Sequence, residues 1–347
     1  MPLYLPHSRA LTTLYSDLES YALTQPEVFT GTAGSVVERS NASDFRFFAH
    51  QFYDGGGKKR ERYLAGPAGA TVADAAAAAL RERIRELKEL VPSLRLLGRE
   101  GWSMLDSKTY ATLASLHNHG VFAAGGVLLG SHAYGVLLNR LGVRAAAYAT
   151  EDIDIARGEE LAFEAPPERG FLEMLGDSGI EFVEVPGLKR SQAATSFKQR
   201  GRSLFHVDLL VPSRDESYPT VPVPELKAHA TGLPYLAYLL EESHMAMAMA
   251  REGCCAVRVP TAERFAIHKL VVSRLRAGQG AKASKDVRQA SVLCGVLAQA
   301  HPGAIEAAVQ CLPRRARKHF AAALATARPL LLKDHPRAWE ELGGDAA

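Results

Sequence analysis

The chain has few cysteines, and their positions exclude the common cysteine-based sites. The 347 residues include only Cys254, Cys255, Cys294 and Cys311, with no CxxC pair and no cysteine–histidine spacing of the kind that binds zinc. We therefore expect a reduced, cytoplasmic protein without structural zinc.

Long apolar runs are also missing. The most apolar window, residues 121–138, is interrupted by glycine, serine and histidine, and no segment approaches roughly 20 consecutive apolar residues. The N-terminus lacks the basic and apolar regions of a secretion signal. The sequence therefore predicts neither a membrane span nor secretion.

Neither sign of charge is in large excess. Lysine and arginine number 41 against 38 aspartates and glutamates, so the net charge of +3 neither requires nor excludes a nucleic-acid partner. A basic surface would have to be local, and two stretches are candidates: Lys58-Lys59-Arg60-Arg62 beside the aromatic residues of 45–53, and 314–319. Aromatic and basic side chains together bind single-stranded nucleic acid. Taken singly, each stretch is more typical of a core hairpin or a solvated helix face.

The apolar pattern predicts an α+β fold in three parts. Residues 1–106 would hold a helix, a β-hairpin and a long amphipathic helix. Residues 107–215 would form a mixed sheet flanked by helices, and residues 216–347 a mostly helical C-terminal domain.

Individual elements follow from periodicity and turn residues. In the N-terminal part we expect a helix over 11–24, a hairpin over 44–64 that turns at 54–57, and a helix over 71–90 that is stopped by Pro92. The central part would begin with a helix at 107–118 and continue with strands at 121–129, 181–185, 194–198 and 204–211. The C-terminal part would have one strand at 256–259 and helices at 233–251, 261–277, 282–300, 303–311 and 313–331.

One stretch, residues 125–157, combines features suited to a phosphate and to a metal ion. Gly130-Ser131 is a small-residue turn between an apolar strand and a helix, where backbone N–H groups can approach an anion. Asp152 and Asp154 alternate on a strand, so they point the same way and can share a hard cation. The alternatives are a Ser131 N-cap and a solvated strand end.

A third acid could complete this set. Asp208 lies in the apolar strand run LFHVDLLVP, and a carboxylate in such surroundings needs a partner. Metal-assisted phosphoryl and nucleotidyl transfer require converging carboxylates of this kind. The alternative is a lone buried aspartate held by backbone or arginine partners.

Gly130-Ser131, Asp152-x-Asp154 and the later Asp208 together resemble the DNA polymerase β-type nucleotidyltransferase superfamily, over residues 119–212. More of the chain resembles a bacterial branch of nucleotidyltransferase-fold proteins. The first of its elements stands here as the hairpin FRFFAHQFYDGGGKKRERYLAG, in which Ala65 interrupts a Leu-Gly pair. The others are Gly130-Ser131-His132-Ala133, Thr150 to Asp154, Thr195-Ser196-Phe197, Val207 to Leu210, and Pro260 with Phe265 to Leu270.

This resemblance implies a nucleotidyltransferase-fold core at 107–215 and the transfer of a nucleoside monophosphate from an NTP, dependent on Mg²⁺ or Mn²⁺ and of the EC 2.7.7 type. Asp152 and Asp154 would bind the metal ions, and Asp208 would bind metal or act as a base toward the acceptor. Gly130, Ser131 and Thr150 would hold the nucleotide. The gap between Ser131 and Asp152 is longer than usual in the superfamily, with residues 141–149 extra.

The C-terminal helices add two candidate residues. Abortive-infection toxin nucleotidyltransferases carry a helical lysine and a later Lys/Arg-x-Asp segment near the nucleotide, to which Lys269 and Asp286 are similar. The alternative is a surface lysine and an ordinary charged pair on a solvated helix. His132, His206 and His268 are interpreted as satisfied, partly buried histidines, and none has the spacing of a metal ligand.

The acceptor is left open by the sequence: it could be an RNA 3′ end, a protein hydroxyl or a small molecule. A second hypothesis is a catalytically silent nucleotide-binding or interaction module, and a third is a role in a toxin–antitoxin or phage-defence system. The presence of all three aspartates favours the enzyme over the silent module. The sequence does not predict the oligomeric state.

Overall fold

The N-terminal part combines two helices with a three-stranded sheet. In the computed structural model, which describes residues 2–146, 150–187, 192–276 and 278–344, the elements here are β1 (Tyr4–Pro6), α1 (Arg9–Thr24), β2 (Ser35–Ser40), β3 (Arg46–Tyr53), β4 (Lys59–Ala65) and α2 (Thr71–Arg99). Strands β2, β3 and β4 form an antiparallel sheet in that order. The predicted hairpin and first helix are confirmed.

Helix α2 continues two turns beyond the predicted end. Pro92 lies inside the helix, so the expectation that it would stop the helix was wrong. Proline removes one backbone hydrogen bond and crowds the preceding turn. Leu94 and Leu97 beyond it are fully buried against Trp102 and the apolar side of α1. Burial of these leucines offsets the local cost of proline.

The central part is built on a mixed sheet. Its elements are α3 (Ser107–Asn118), β5 (Val127–Leu128), α4 (Gly130–Arg140), β6 (Val143–Ala145), β7 (Asp152–Ala156), α5 (Phe171–Gly176), β8 (Phe182–Glu184), β9 (Ser196–Gln199), β10 (His206–Pro212), β11 (Thr220–Val223) and β12 (Ala228–Leu233). The sheet order is β11-β12-β10-β7-β5. Strand β10 is parallel to β7 and β12, while β9 pairs antiparallel with its first half.

The strand predicted at 121–129 is much shorter in the structure. Only Val127 and Leu128 pair with β7, and the residues before them form turns. Gly120 and Gly125 both have positive φ, and the Gly126 N–H donates to the Val121 carbonyl. Two left-handed glycines bend the backbone too sharply for an extended strand.

The segment predicted as a helix over 233–251 was also assigned wrongly. It contains the end of β12, a short helix α6 (Leu236–Leu240) and a strand β13 (Ser243–Met249), which pairs antiparallel with β14 (Cys254–Pro260). Methionine and alanine favour helices where tertiary contacts do not decide the structure. Most of this hairpin is buried, so strand pairing and burial override the local preference and leave no polar alternation to reveal the strands.

The C-terminal part is helical, with α7 (Ala262–Ser273), α8 (Gly280–Ala300), α9 (Ala304–Gln310), α10 (Arg314–Leu331) and α11 (Pro336–Glu341). A continuous apolar cluster joins these helices to the mixed sheet and to α3 and α4. The structure thus confirms the α+β class with a mixed sheet flanked by helices. Within the described residues, no helix has the length and apolarity needed to cross a membrane.

Candidate active site

Three aspartates lie on one face of the mixed sheet. Strands β7 and β10 are parallel, and their register places Asp154 opposite Asp208 and Asp152 opposite His206. Residues at i and i+2 share a face, and residues opposite each other on neighbouring strands do so too. The structure therefore brings Asp152, Asp154 and Asp208 together, although they are separated by up to 56 positions in the chain.

His206 lies among these acids. Its Nδ1 is 3.5 Å from Asp152 Oδ1, and its Nε2 is 3.6 Å from Asp208 Oδ2. The nearby Asp208 carboxylate, with the Leu204 carbonyl 2.7 Å from Nδ1, raises the pKa of His206 to about 9, against the opposing effect of burial. The histidine therefore supplies positive charge to the acidic face. This role of His206 could not be predicted, because its partnership with Asp152 depends on the register between two strands.

Asp154 is the least solvated of the acids. Burial, followed by the negative charge of Asp208, raises the pKa of Asp154 to about 6, while Lys269 and Arg276 act in the opposite direction. A raised carboxylate pKa means that the folded protein disfavours the ionised form. Burial and the Asp208 carboxylate thus oppose a negative charge on Asp154.

The donors on this face suit a hard cation. In the parts of the chain that the structure describes, no three histidine, cysteine, aspartate or glutamate side chains already form a metal-binding group. The aspartates nevertheless offer carboxylate oxygens, which Mg²⁺ and Mn²⁺ prefer, and a cation between Asp154 and Asp208 would offset their mutual repulsion. The donor chemistry therefore fits a divalent cation held by Asp152, Asp154 and Asp208.

The Gly130 turn is in direct contact with Asp154. Leu129 donates its backbone N–H to the Asp154 carbonyl at 2.8 Å, and Gly130 begins α4 with φ of 66°. A Cβ at position 130 would lie 2.1 Å from Asp154 Oδ2, so only glycine allows this approach. Ser131 is inside the helix and Leu129 is the N-cap, so the alternative of a Ser131 cap was wrong. The free N–H groups of the first turn of α4 lie beside the acids.

The long gap between Ser131 and Asp152 does not separate the turn from the acids. Within residues 141–149, β6 pairs antiparallel with β1, which anchors the additional segment to the N-terminus. Residues 147–149 lie outside the described residues. Because the Leu129 N–H donates a hydrogen bond to the Asp154 carbonyl, the Gly130 turn and β7 are adjacent whatever the length of the connection.

A cavity of about 440 Å³ opens beside this turn. Its polar and small lining residues are Gly130, Asp154, His268, Lys269, Arg276 and Gln279. The rest of its lining is mostly apolar: Leu129, Leu210, Tyr218, Leu233, Pro234, Leu236, Leu239, Phe265, Val272 and Leu275. This volume falls in the range of small-molecule sites, and the mixed lining suits a ligand with a charged and an apolar part.

A second cavity, of about 400 Å³, meets the same turn at the next residue. Ser131, His132 and Thr150 are among its lining residues. Thr150 Oγ1 also accepts from the Asp152 N–H at 3.3 Å, which ties it to the start of β7. The predicted nucleotide-binding residues are therefore divided: Gly130 and Lys269 line the first cavity, while Ser131 and Thr150 line the second.

Lys269 and Asp286 form a buried ion pair. Lys269 Nζ lies 2.7 Å from Asp286 Oδ1, and Arg276 Nε lies 2.7 Å from Asp286 Oδ2. Asp286 is 2% exposed and stands behind Lys269 and Arg276, which both line the first cavity. One carboxylate thus fixes two cations in the wall of the first cavity. Arg276 was not among the predicted site residues, since its place depends on how α7 ends against α8.

His268 gives a prediction for acid stability. It is 9% exposed, and burial, together with nearby Lys269 and Arg276, lowers the pKa of His268 from 6.5 to about 3. The unfolded chain binds a proton below pH 6.5 that the folded chain does not, so stability falls as pH drops toward 3. This histidine should contribute a loss of about 1.4 kcal/mol of unfolding free energy per pH unit below its ordinary pKa.

Urea unfolding of wild type and His268→Gln between neutral and mildly acid pH measures this contribution. The difference in unfolding free energy between the two proteins should shrink steadily in acid, because glutamine takes up no proton. His301→Gln, which changes an exposed histidine, is the matched control and should follow the wild-type curve. A constant difference between His268→Gln and wild type across this pH range would contradict the prediction.

Comparison with known proteins agrees with this geometry. A family model described as nucleotidyltransferase matches residues 107–312, which include Gly130, Asp152, Asp154, Asp208, Lys269 and Asp286 of this site. No curated protein and no solved structure matched the chain. The matched segment is more than half of the 347 residues. The chain belongs to the nucleotidyltransferase family.

Proposed function

We propose that this protein is a nucleotidyltransferase of the EC 2.7.7 type that moves a nucleoside monophosphate from an NTP to an acceptor, with Mg²⁺ or Mn²⁺ as cofactor. One observation carries the proposal: Asp154 and Asp208 stand opposite each other on parallel strands while the Gly130 turn contacts Asp154. Carboxylates that can bind a cation therefore lie beside backbone N–H groups that can bind an anion.

The residues at and behind the Gly130 turn have proposed tasks in binding the nucleotide. The first turn of α4, at Gly130 and Ser131, would bind phosphate oxygens through backbone N–H groups. Lys269 and Arg276 would add positive charge for the triphosphate, and Asp286 would act indirectly by positioning both. The apolar side chains of the lining would contact the nucleoside.

The three aspartates would hold the metal. A bound divalent cation supplies neutralisation of charge on the transferring phosphoryl group. Asp208 has a second candidate task, because a carboxylate beside the acceptor can take the proton of the attacking hydroxyl. His206 lies close to both Asp152 and Asp208, so its positive charge would offset theirs while no metal is bound.

The acceptor would lie next to the second cavity, which meets the turn at Ser131. An RNA 3′ end, a protein hydroxyl and a small-molecule hydroxyl all supply the same nucleophile. The alternative of a silent nucleotide-binding module predicts NTP binding without transfer, and one experiment separates these outcomes.

The experiment incubates the protein with each NTP labelled at the α-phosphate, Mg²⁺ or Mn²⁺, and a cell lysate. Wild type should transfer label, and the Asp152→Ala/Asp154→Ala double variant should not. Asp334→Ala, which removes an exposed aspartate outside the site, should match wild type. Sensitivity of the product to ribonuclease or protease identifies the acceptor class. If wild type binds no NTP and moves no label, the enzyme proposal fails; NTP binding without label transfer supports the silent module.

A further inference from the structure

The N-terminal sheet has one face covered by a helix and one face open. Val36 and Phe48 pack toward α2, in contact with a cluster that contains Ala77. Successive strand residues point to opposite faces, so Phe47 on β3 and Tyr63 on β4 project from the other side. This sheet lies before the segment matched by the nucleotidyltransferase family, and the proposed transfer reaction uses none of it.

Three aromatic rings form a row on the open face. Phe45 and Phe47 are stacked with ring centroids 6.3 Å apart, and Phe47 and Tyr63 are 5.6 Å apart. Phe45 is 40% exposed and Tyr63 is 59% exposed. A hairpin with this pattern more commonly has its aromatic residues in the core. Here Phe45 and Tyr63 are exposed instead. Exposed rings arranged in a row provide flat surfaces on which planar groups can stack.

Positive charge lies along the adjacent edge strand. Arg39 and Arg60 are neutralised, by Glu61 at 2.9 Å and by Asp54 at 2.6 Å. Lys58, Lys59 and Arg62 are exposed. The charge of Lys59 acts on Glu61, whose closer partner is Arg39. Because residues 59, 61 and 63 of β4 share one face, the exposed Lys59 is presented together with the ring of Tyr63.

We propose that this aromatic sheet face, formed by Phe45, Phe47, Tyr63 and Lys59, binds single-stranded nucleic acid. Its bases stack on the rings, and its phosphates follow the cations of β4. A duplex does not satisfy the surface, since its bases are already stacked on one another. Aromatic stacking and backbone attraction do not read sequence, so the surface accepts many sequences.

The test measures fluorescence anisotropy of labelled oligouridine and oligothymidine, each of about 15 nucleotides, with the full-length protein and no NTP. Tyr63→Ala should weaken binding by roughly 5- to 150-fold, the loss expected for one stacked base. Tyr63→Phe keeps the ring and should bind like wild type. A duplex of the same length should bind more weakly than either single strand. Comparing the two single strands shows whether the surface prefers RNA or DNA.

A charge variant tests the other half of the proposal. Lys59→Gln should weaken binding. It should also make the dependence of log affinity on log salt less steep, by the amount expected for the loss of about one phosphate contact. Lys333→Gln removes an equally exposed lysine from the C-terminal region and should change neither.

The proposal is overturned if wild type binds no single strand, if Tyr63→Ala binds as tightly as wild type while its thermal unfolding is unchanged, or if Lys59→Gln and Lys333→Gln behave alike. It is also overturned if a duplex binds as tightly as a single strand. Because these measurements need no NTP, they stand or fall separately from the transfer reaction.

Discussion

Asp154→Asn is expected to lower nucleotide transfer by at least about 10²- to 10³-fold, the cost of removing one group that stabilises charge in a transition state. The substitution keeps the shape of the side chain and removes one charged oxygen donor from the face shared with Asp208. Mg²⁺-dependent NTP binding should weaken too, which calorimetry with and without the metal would measure. Asp334→Asn is the matched control.

The same variant should be at least as stable as wild type in the absence of metal. Asp154 on β7 stands opposite Asp208 on the neighbouring strand β10. Burial, followed by this neighbour, raises the pKa of Asp154 from 3.8 to about 6. The folded state holds its proton more tightly than the unfolded state, so ionisation near neutral pH costs stability. Asparagine removes that cost, worth about 1 to 3 kcal/mol near neutral pH, and the difference should disappear in acid, below both pKa values.

Opposite changes in activity and stability would mark Asp154 as a residue kept for function. Urea unfolding of metal-free wild type and Asp154→Asn provides the second measurement. Unchanged Mg²⁺-dependent NTP affinity would count against the proposed metal site. Reduced stability together with lost activity would instead indicate that Asp154 supports the fold.

The acidic strands could be predicted because their pattern is local. Asp152 and Asp154 alternate with Ile153 and Ile155, and Asp208 stands within an apolar run, so strand period alone places each acid on a face. Their convergence could be expected only from the resemblance to nucleotidyltransferases. Pairing between β7 and β10 is a long-range property, and it decides both the Asp154–Asp208 pair and the position of His206.

The errors in the predicted fold have related causes. Met245 to Met249 alternate with alanine, which favours a helix locally, but pairing with β14 and burial make them a strand. Pro92 signals a helix end locally, but the burial of Leu94 and Leu97 carries α2 past it. In both places tertiary contacts outweigh a local preference of the sequence, and these contacts cannot be derived from neighbouring residues.

The largest stability effect is expected at Asp286. This carboxylate is 2% exposed and lies 2.7 Å from both Lys269 Nζ and Arg276 Nε. Asp286→Ala would leave two cations at the wall of the first cavity without their shared partner. Removing one member of a buried ion pair costs about 3 to 5 kcal/mol, and Arg276, being partly exposed, should recover some solvation. The loss of unfolding free energy should fall in this range and is measured by urea denaturation.

A double variant separates the lost pair from the lost packing. Lys269→Met removes the more deeply buried cation, so Asp286→Ala/Lys269→Met should be more stable than the sum of the two single losses implies. Asp334→Ala, at an exposed position, should change little. NTP binding tests the positioning role: if Asp286 acts through Lys269 and Arg276, Asp286→Asn should weaken NTP affinity less than Lys269→Met does, because both cations remain beside the cavity. Equal stability of Asp286→Ala and wild type would show that the two cations do not depend on this carboxylate.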